Sequence, residues 1–248
     1  MTVMIARLCR VVCYLIACLA TATQASAETW TADFNSAALG PNLFLNHSSD
    51  WTVTSGNGIL EFSSPGNAAT LTGGNVFYSQ FLSGDFTATV TVDVSQSYNE
   101  VGFLTFSGAS GLNTNIDAWK GTSPTTLSNI GGYDPITNSF PPNLHGLSPI
   151  LTFQLSRTGN VISESYKVLT DSSFTFWHSF DASFWDGVGG YVSLSARQFQ
   201  PAATSADVKF SDFSVTTPVP EPESYAMLLA GLGLLGFTAR RRKQRLAA

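Results

Sequence analysis

In the middle of the 248-residue chain, large aromatic side chains lie close in sequence to short polar side chains. Aromatic rings cover flat apolar faces, while amides and carboxylates exchange hydrogen bonds with hydroxyl groups, and a sugar presents both features. Several of these residues adjoin turn residues, so we expect a site at the loop ends. The candidates are Trp119, Tyr133, Trp177, Trp185, Asn115, Asp117, Asp134 and Asp186. Core packing is the alternative role of each tryptophan.

Oxygen-bearing side chains suggest two places for calcium. Residues 113–117 space three oxygen donors two positions apart, as calcium-binding loops begin. The sixth and twelfth positions are Ala118 and Pro124 rather than glycine and glutamate, so the segment is no EF-hand, and a polar loop with Asx turns is favoured. Asp33 and Asp212 form a second candidate, which depends on pairing between the first and last strands.

The acidic residues are not arranged for hydrolysis. Glycoside hydrolysis needs two carboxylates about 5–10 Å apart. Asp181 and Asp186 would lie on opposite faces of a strand, and no Gly-x-Ser-x-Gly motif supports a serine hydrolase. The glutamates between the chain ends are isolated, namely Glu28, Glu61, Glu100 and Glu164. We therefore predict a non-catalytic protein, with acids assembled from distant strands as the alternative.

Histidines and cysteines offer little further chemistry. His47, His145 and His178 are far apart and form no zinc-binding pair. His178 is in phase with neighbouring phenylalanines, which favours a place in the core. All three cysteines lie within the first 18 residues, so the remainder of the chain has no disulfide and no thiolate site.

The N-terminal segment has the features of a secretory signal peptide. Two arginines precede the apolar residues 11–20, and Ala25 and Ala27 supply the small-residue pattern that signal peptidase reads. We expect cleavage before Glu28, so that residues 1–27 are removed. The alternative is a lipobox at residues 15–18, which would make Cys18 a lipid-anchored N-terminus.

The C-terminal segment combines a short motif, a weak apolar span and a basic cluster. The uncharged residues 225–239 would form a helix about 22 Å long, which is shorter than the roughly 30 Å hydrocarbon core of a bilayer. The basic cluster is expected to stay cytoplasmic. This order is typical of a sorting signal that is removed after export. The motif is Pro220, Glu221 and Pro222, and the cluster begins with Arg240, Arg241 and Arg242.

This segment resembles the PEP-CTERM sorting domain of Gram-negative bacteria. The resemblance implies that residues 218–248 form a sorting tail with a short transmembrane helix, processed by a membrane-embedded exosortase. It also implies a protein that is transiently anchored in the inner membrane and then located in the cell envelope, at the cell surface or in the extracellular matrix. Family members associate with extracellular polysaccharide and biofilm. An ordinary single-span anchor is the alternative.

The charge of the region between the two ends excludes one class of partner. Residues 28–217 contain five basic and fifteen acidic residues, a formal charge of −10. Because no basic patch is present, nucleic-acid binding is not expected. The acidic residues are scattered singly, which favours solubility first and cation binding second.

Alternating apolar and polar residues predict strands throughout this region. The pattern occupies residues 85–94, 151–156 and 191–197, while residues 101–106 are apolar on both faces, as in a central strand. Phe213 and Val215 are one residue out of phase with Val208 and Phe210, so we predict a β-bulge at residues 211–212. Turns are predicted at residues 55–58, 64–67, 73–75 and 158–160, the last within a hairpin.

Residues 28–217 are therefore predicted to form an all-β, two-sheet jelly-roll sandwich without helices of three turns. The region is similar to the concanavalin A-like lectin/glucanase superfamily, through residues 32–34, 51–60, 84–86, 157–159 and 208–213. At fold level the similarity implies carbohydrate binding, glycan hydrolysis or adhesion. We expect an exported matrix or surface protein that binds polysaccharide, with a glycan hydrolase or a purely structural surface protein as alternatives.

Overall fold

The structure, a computed structural model, describes residues 27–47, 51–64, 72–97, 100–108, 113–120, 128–133, 142–183, 189–198, 206–218 and 231–233. Thr29–Thr217 forms one compact unit, which contains both sheets. Of the second unit, which comprises the two ends of the chain, the structure describes residues 27, 28, 218 and 231–233.

Two antiparallel sheets form the predicted jelly-roll sandwich. Sheet A contains eight of the described strands: Glu28–Thr31 (β1), Thr52–Gly56 (β3), Ile59–Ser64 (β4), Phe86–Asp93 (β6), Ile150–Thr158 (β11), Val161–Val168 (β12), Thr175–Asp181 (β13) and Ala206–Thr217 (β15). Their order is β13-β12-β11-β6-β15-β4-β3, and β1 also pairs with β15. The predicted pairing of the first and last strands is thus confirmed.

Sheet B contains the other seven described strands: Leu43–His47 (β2), Thr72–Tyr78 (β5), Glu100–Gly108 (β7), Asn113–Trp119 (β8), Ser128–Tyr133 (β9), Leu144–Leu147 (β10) and Gly190–Gln198 (β14). Their order is β10-β9-β8-β7-β14-β5-β2. Strand β7 lies at the centre of this sheet, as its two apolar faces predict.

The core lies between the sheets and follows the two-residue period of the strands. In β6 the alternate side chains Phe86, Ala88, Val90 and Val92 are buried, and the threonines between them face outward. Complete burial of a side chain of this size stabilises a fold by about 1.5–3 kcal/mol. The largest buried side chains include Phe34, Phe62, Phe106, Phe153, Phe210 and Phe213.

The predicted bulge in β15 keeps both halves of that strand facing the core. The register with β6 shifts between Ser211 and Ser214, and Asp212 has a positive φ of 53°. Phe210 and Phe213 are therefore both buried although they are an odd number of positions, three, apart. An uninterrupted strand would have turned one of them toward solvent, because neighbouring positions face opposite sides.

Two predicted turns are confirmed and one is wrong. The hairpins at residues 55–58 and 158–160 join β3 to β4 and β11 to β12, with positive φ angles at Gly58 and Gly159. Residues 73–75 instead lie inside β5, which pairs with β2 on one side and β14 on the other. Ladder hydrogen bonds on both sides outweigh the weak strand preference of glycine. Of the turn predicted at 64–67, Ser64 ends β4 and the remainder lies outside the described residues.

Close packing between the sheets depends on a glycine in β7. A Cβ atom at Gly102 would lie 2.7 Å from Val208 Cγ1 and 2.8 Å from Val92 Cγ1. We expect Gly102→Ala to lower the free energy of unfolding by about 1–3 kcal/mol, because the core would be overpacked. Urea denaturation measures the change. Gly84→Ala is the matched control, because nothing lies within 4 Å of its Cβ position, and an equal loss in both variants would contradict the packing argument.

Candidate functional site

Strand β8 places three predicted site residues on one face of sheet B. Asn115, Asp117 and Trp119 alternate with Ile116 and Ala118, which are buried in the core. The expectation of a polar loop at residues 113–117 is therefore wrong. Two neighbouring strands, β7 and β9, pair with this segment, and the core-facing positions between the polar residues anchor it as a strand.

Strand β9 brings a fourth predicted residue to the same face. Tyr133 is the register partner of Asn115, and Gly131 is the partner of Asp117. Because register partners on adjacent strands project to the same side of a sheet, these side chains are neighbours. We call Asn115, Asp117, Trp119 and Tyr133 the polar–aromatic patch. It lies on the outer face of sheet B rather than at loop ends.

Gly131 leaves room for the centre of this patch. A Cβ atom at this position would lie 2.7 Å from Trp119 Cζ3 and 3.0 Å from Asp117 Oδ1. The indole ring and one carboxylate oxygen therefore approach the same point above β9. An aromatic ring beside a hydrogen-bond acceptor is the arrangement that binding of a sugar requires.

The carboxylate of Asp117 is almost completely buried, with 8% of the residue exposed. Asn115 Nδ2 donates a hydrogen bond to Asp117 Oδ2 over 2.8 Å. Loss of hydration raises the pKa of Asp117 to about 7, and the hydrogen bond from Asn115 opposes this increase. Asp117 is thus a carboxyl group that changes charge near neutral pH.

The polar–aromatic patch continues across the sheet through residues that sequence reasoning missed. Phe103 in β7 is the register partner of Asp117, and Ser195 in β14 follows it. Ser193, next in line on β14 and 1% exposed, has a hydroxyl group without a hydrogen-bond partner. The strong apolar character of β7 on both faces was the available signal for Phe103. Nothing local distinguished the two serines.

A second missed pair borders the patch on its other side. Asn129 in β9 is the register partner of Trp119, and His145 in β10 is the partner of Asn129. His145 Nδ1 lies 2.7 Å from Asn129 Oδ1. The sequence offered His145 only as a possible zinc ligand. Its position beside the patch depends on pairing between β9 and β10.

Trp177 does not join the patch. Its ring would lie 2.7 Å from a Cβ atom at Gly132, on the core-facing side of β9, and its Nε1 donates to the Pro142 carbonyl over 3.4 Å. Uninterrupted alternation from the buried Phe180 would turn Trp177 outward. A register shift between β12 and β13 instead directs it toward the core that also contains Phe180, whereas Phe176 is 62% exposed.

The structure does not describe every predicted site residue. Trp185, Asp134 and Asp186 lie outside the described residues, as do Ala25 of the cleavage site and the whole sorting motif with its arginine cluster. Ala27 is described and exposed. No helix in the described part of the chain has the length and apolar character needed to cross a bilayer.

At the calcium candidate on the terminal strands, the two backbones are hydrogen-bonded to each other, and each carboxylate accepts a hydrogen bond from a residue near it in sequence. The Ala32 amide donates to the Phe213 carbonyl over 2.8 Å. Asp33 Oδ1 accepts from the Asn35 amide at 2.9 Å, and Asp212 Oδ2 accepts from Ser211 Oγ at 3.0 Å. Across the described residues, no three acidic, histidine or cysteine side chains cluster as a metal site would require.

Two of the isolated glutamates have structural partners. Glu164 in β12 is completely buried between the sheets, where it accepts a hydrogen bond from Thr114 Oγ1 at 2.8 Å and pairs in register with His178. Glu61 forms an ion pair with Lys209 over 3.3 Å on the outer face of sheet A. Neither shares the face of the polar–aromatic patch, because Glu61 belongs to sheet A and Glu164 contacts β8 from the core-facing side.

Comparison of the sequence with known families identifies the tail. A family model described as the PEP-CTERM protein-sorting motif matches residues 218–243. This match confirms the resemblance seen in the sequence of the C-terminal segment. A search of the curated proteins gives no significant match.

Solved structures share the fold of the sandwich. The winged bean acidic lectin complexed with methyl-α-D-galactose is 14% identical with a TM-score of 0.53, covering 79% of this chain and 100% of the lectin. The CBM2 module of the evolved Dit of Lactobacillus casei BL23 phage J-1 is 12% identical with a TM-score of 0.54, covering 77% and 96%.

An engineered GH43 glycoside hydrolase, with endo-xylanase and exo-arabinofuranosidase activity, is 12% identical with a TM-score of 0.56. The match covers 80% of this chain and 42% of the hydrolase, so this chain spans about two fifths of that protein. At such identities the similarities establish the fold alone. The body of the chain has the lectin/glucanase-type jelly-roll fold, in agreement with its concanavalin A-like sequence features.

Proposed function

We propose that this chain is an exported, non-catalytic surface or matrix protein of a Gram-negative bacterium that binds polysaccharide through the polar–aromatic patch. The observation that carries the proposal is the convergence of the Trp119 ring and Asp117 Oδ1 above Gly131. One group offers a flat apolar surface and the other accepts hydrogen bonds from hydroxyl groups. Asn115 and Tyr133 add polar groups beside them.

The route of export that we propose has two steps. Signal peptidase removes residues 1–27, and the PEP-CTERM tail holds the chain in the inner membrane until an exosortase processes it. The match to the sorting motif at residues 218–243 supports the second step. The product would then belong to the cell envelope, the cell surface or the extracellular matrix.

The surroundings of Asp117 support a binding role over hydrolysis. A glycosidase needs a second carboxylate facing the first. The outward-facing positions of β7, β8 and β9 that the structure describes contain no carboxylate other than Asp117. A glycan hydrolase is the alternative, because Asp117, with a pKa of about 7, could donate a proton near neutral pH.

Removal of the aromatic ring tests the proposal. We expect full-length protein in detergent to bind glycans on an array. Trp119→Ala should raise the dissociation constant about 30-fold, as loss of a central binding residue does. Phe176→Ala is the matched control, since it removes an exposed ring from sheet A. Absence of glycan binding by the unmodified protein, or equal losses in both variants, would refute the proposed site. Release of reducing sugar would favour the hydrolase.

A further inference from the structure

In the part of the chain that the structure describes, no basic side chain forms an ion pair with Asp117. Residues 28–217 contain five basic residues, and the structure describes all of them. Four are engaged elsewhere: Lys209 pairs with Glu61, Lys167 lies over the Phe174 ring, Lys120 donates to the Ser95 carbonyl, and Arg157 donates to the Gly159 carbonyl.

Arg197 is the one basic residue on the same face of sheet B, and it is not adjacent to Asp117. It lies on β14 in register with Val101, which separates it from Trp119 on β8. Two strand spacings across the sheet amount to about 10 Å. His145, on the other side, is engaged with Asn129. No basic residue among those described therefore compensates the charge of Asp117.

The second oxygen of the Asp117 carboxylate lies near an aromatic ring. Asn115 donates to Oδ2, whereas Oδ1 and the Trp119 ring lie 3.0 Å and 2.7 Å from the position that a Cβ atom at Gly131 would occupy. The face of an indole ring attracts cations through its quadrupole, most strongly where water is excluded. A buried carboxylate attracts the same kind of group, because an uncompensated buried charge is costly. Both attractions act at one point.

We propose that the polar–aromatic patch selects a sugar that carries a protonated amine, such as a de-N-acetylated hexosamine within a polysaccharide. This inference rests on the proposed function and specifies its ligand. The ammonium group would donate to Asp117 Oδ1 and lie against the Trp119 ring. An acetylated amine loses the charge, and a uronic acid is repelled both by Asp117 and by the formal charge of −10 on residues 28–217.

The elevated pKa of Asp117 is consistent with this ligand. Ionisation of the carboxyl group is unfavourable because burial removes its hydration. An ammonium group would stabilise the ionised carboxylate through its positive charge, whereas a neutral hydroxyl group would form a weaker hydrogen bond. Selectivity should therefore originate from Asp117 and decrease as salt is added.

Calorimetric titration of the full-length protein in detergent tests the inference with three oligosaccharides of equal length: glucosamine, N-acetylglucosamine and galacturonic acid oligomers. We expect the glucosamine oligomer to bind about tenfold more tightly than its acetylated counterpart, since a charge-assisted hydrogen bond replaces a neutral one. The galacturonic acid oligomer should bind most weakly. Asp117→Asn should remove the preference for the amine.

Asp171→Asn is the matched control, because it changes the net charge equally from an exposed turn in sheet A. If the control also removes the preference, or if the acetylated oligomer binds as tightly as the free amine, the amine inference is wrong. If the acetylated oligomer binds as tightly as the free amine and binding still depends on Trp119, the proposed function remains supported. Failure of every glycan to bind would overturn both.

Discussion

Replacement of Phe213 by alanine is expected to lower the free energy of unfolding by about 3–5 kcal/mol, a large part of the stability of a typical domain. The bulge of β15 turns Phe213 toward the core, where it is completely buried. The substitution would therefore leave a cavity between the sheets. Urea denaturation followed by tryptophan fluorescence measures the loss.

Deletion of Asp212 tests the bulge separately from the loss of a core side chain. The register shifts by one residue, so the deletion would leave Phe210 and Phe213 two positions apart in a regular strand, with both still facing the core. We therefore expect the deletion variant to lose much less stability than Phe213→Ala. A deletion variant as unstable as Phe213→Ala would contradict this account of the register.

Replacement of Asp117 by asparagine is expected to increase the free energy of unfolding at pH 8 by roughly 4 kcal/mol. Burial raises the pKa of Asp117 from its ordinary value of 3.8 to about 7 in the folded protein. The folded state therefore holds the proton more tightly than the unfolded state. The stability that the protonated group contributes is fully present below about pH 4 and is lost as the pH rises through 7.

Asparagine cannot ionise, and its side-chain oxygen can still accept the hydrogen bond from Asn115. The two proteins should differ least at pH 4 and most at pH 8, and the difference is measured by denaturant unfolding across this range. Asp171→Asn controls for the change in net charge. A constant difference between Asp117→Asn and the unmodified protein from pH 4 to pH 8 would contradict the effect of burial on Asp117.

Local patterns in the sequence predicted most of the fold. Alternation predicted β6, β11 and β14, because a strand places successive side chains on opposite faces whatever its neighbours are. The phase change between Phe210 and Phe213 predicted the bulge for the same reason. The two apolar faces of residues 101–106 predicted β7 as a central strand. The wrong predictions, at residues 73–75 and 113–117, arose where glycine and asparagine prefer turns locally but adjacent strands on both sides supply hydrogen bonds.

The candidate site was predicted only in part. Asn115, Asp117, Trp119 and Tyr133 were chosen for their chemistry, and the structure brings them together on one face. Trp177 has the same chemistry and packs toward the core, because a register shift between β12 and β13 redirects it. Composition could not separate these two tryptophans, since the direction of a side chain depends on the pairing of its strand.

The sequence by itself determined the sorting motif of the tail, the all-β character of the body and the phase of the strands with regular alternation, since all three depend on residues close together in the chain. Only the tertiary structure decided which strands are neighbours. That choice places Gly131 opposite Asp117, sets Trp119 beside the carboxylate and removes its hydration. These properties depend on which strands pair and in which register, and local patterns along the chain do not specify that pairing.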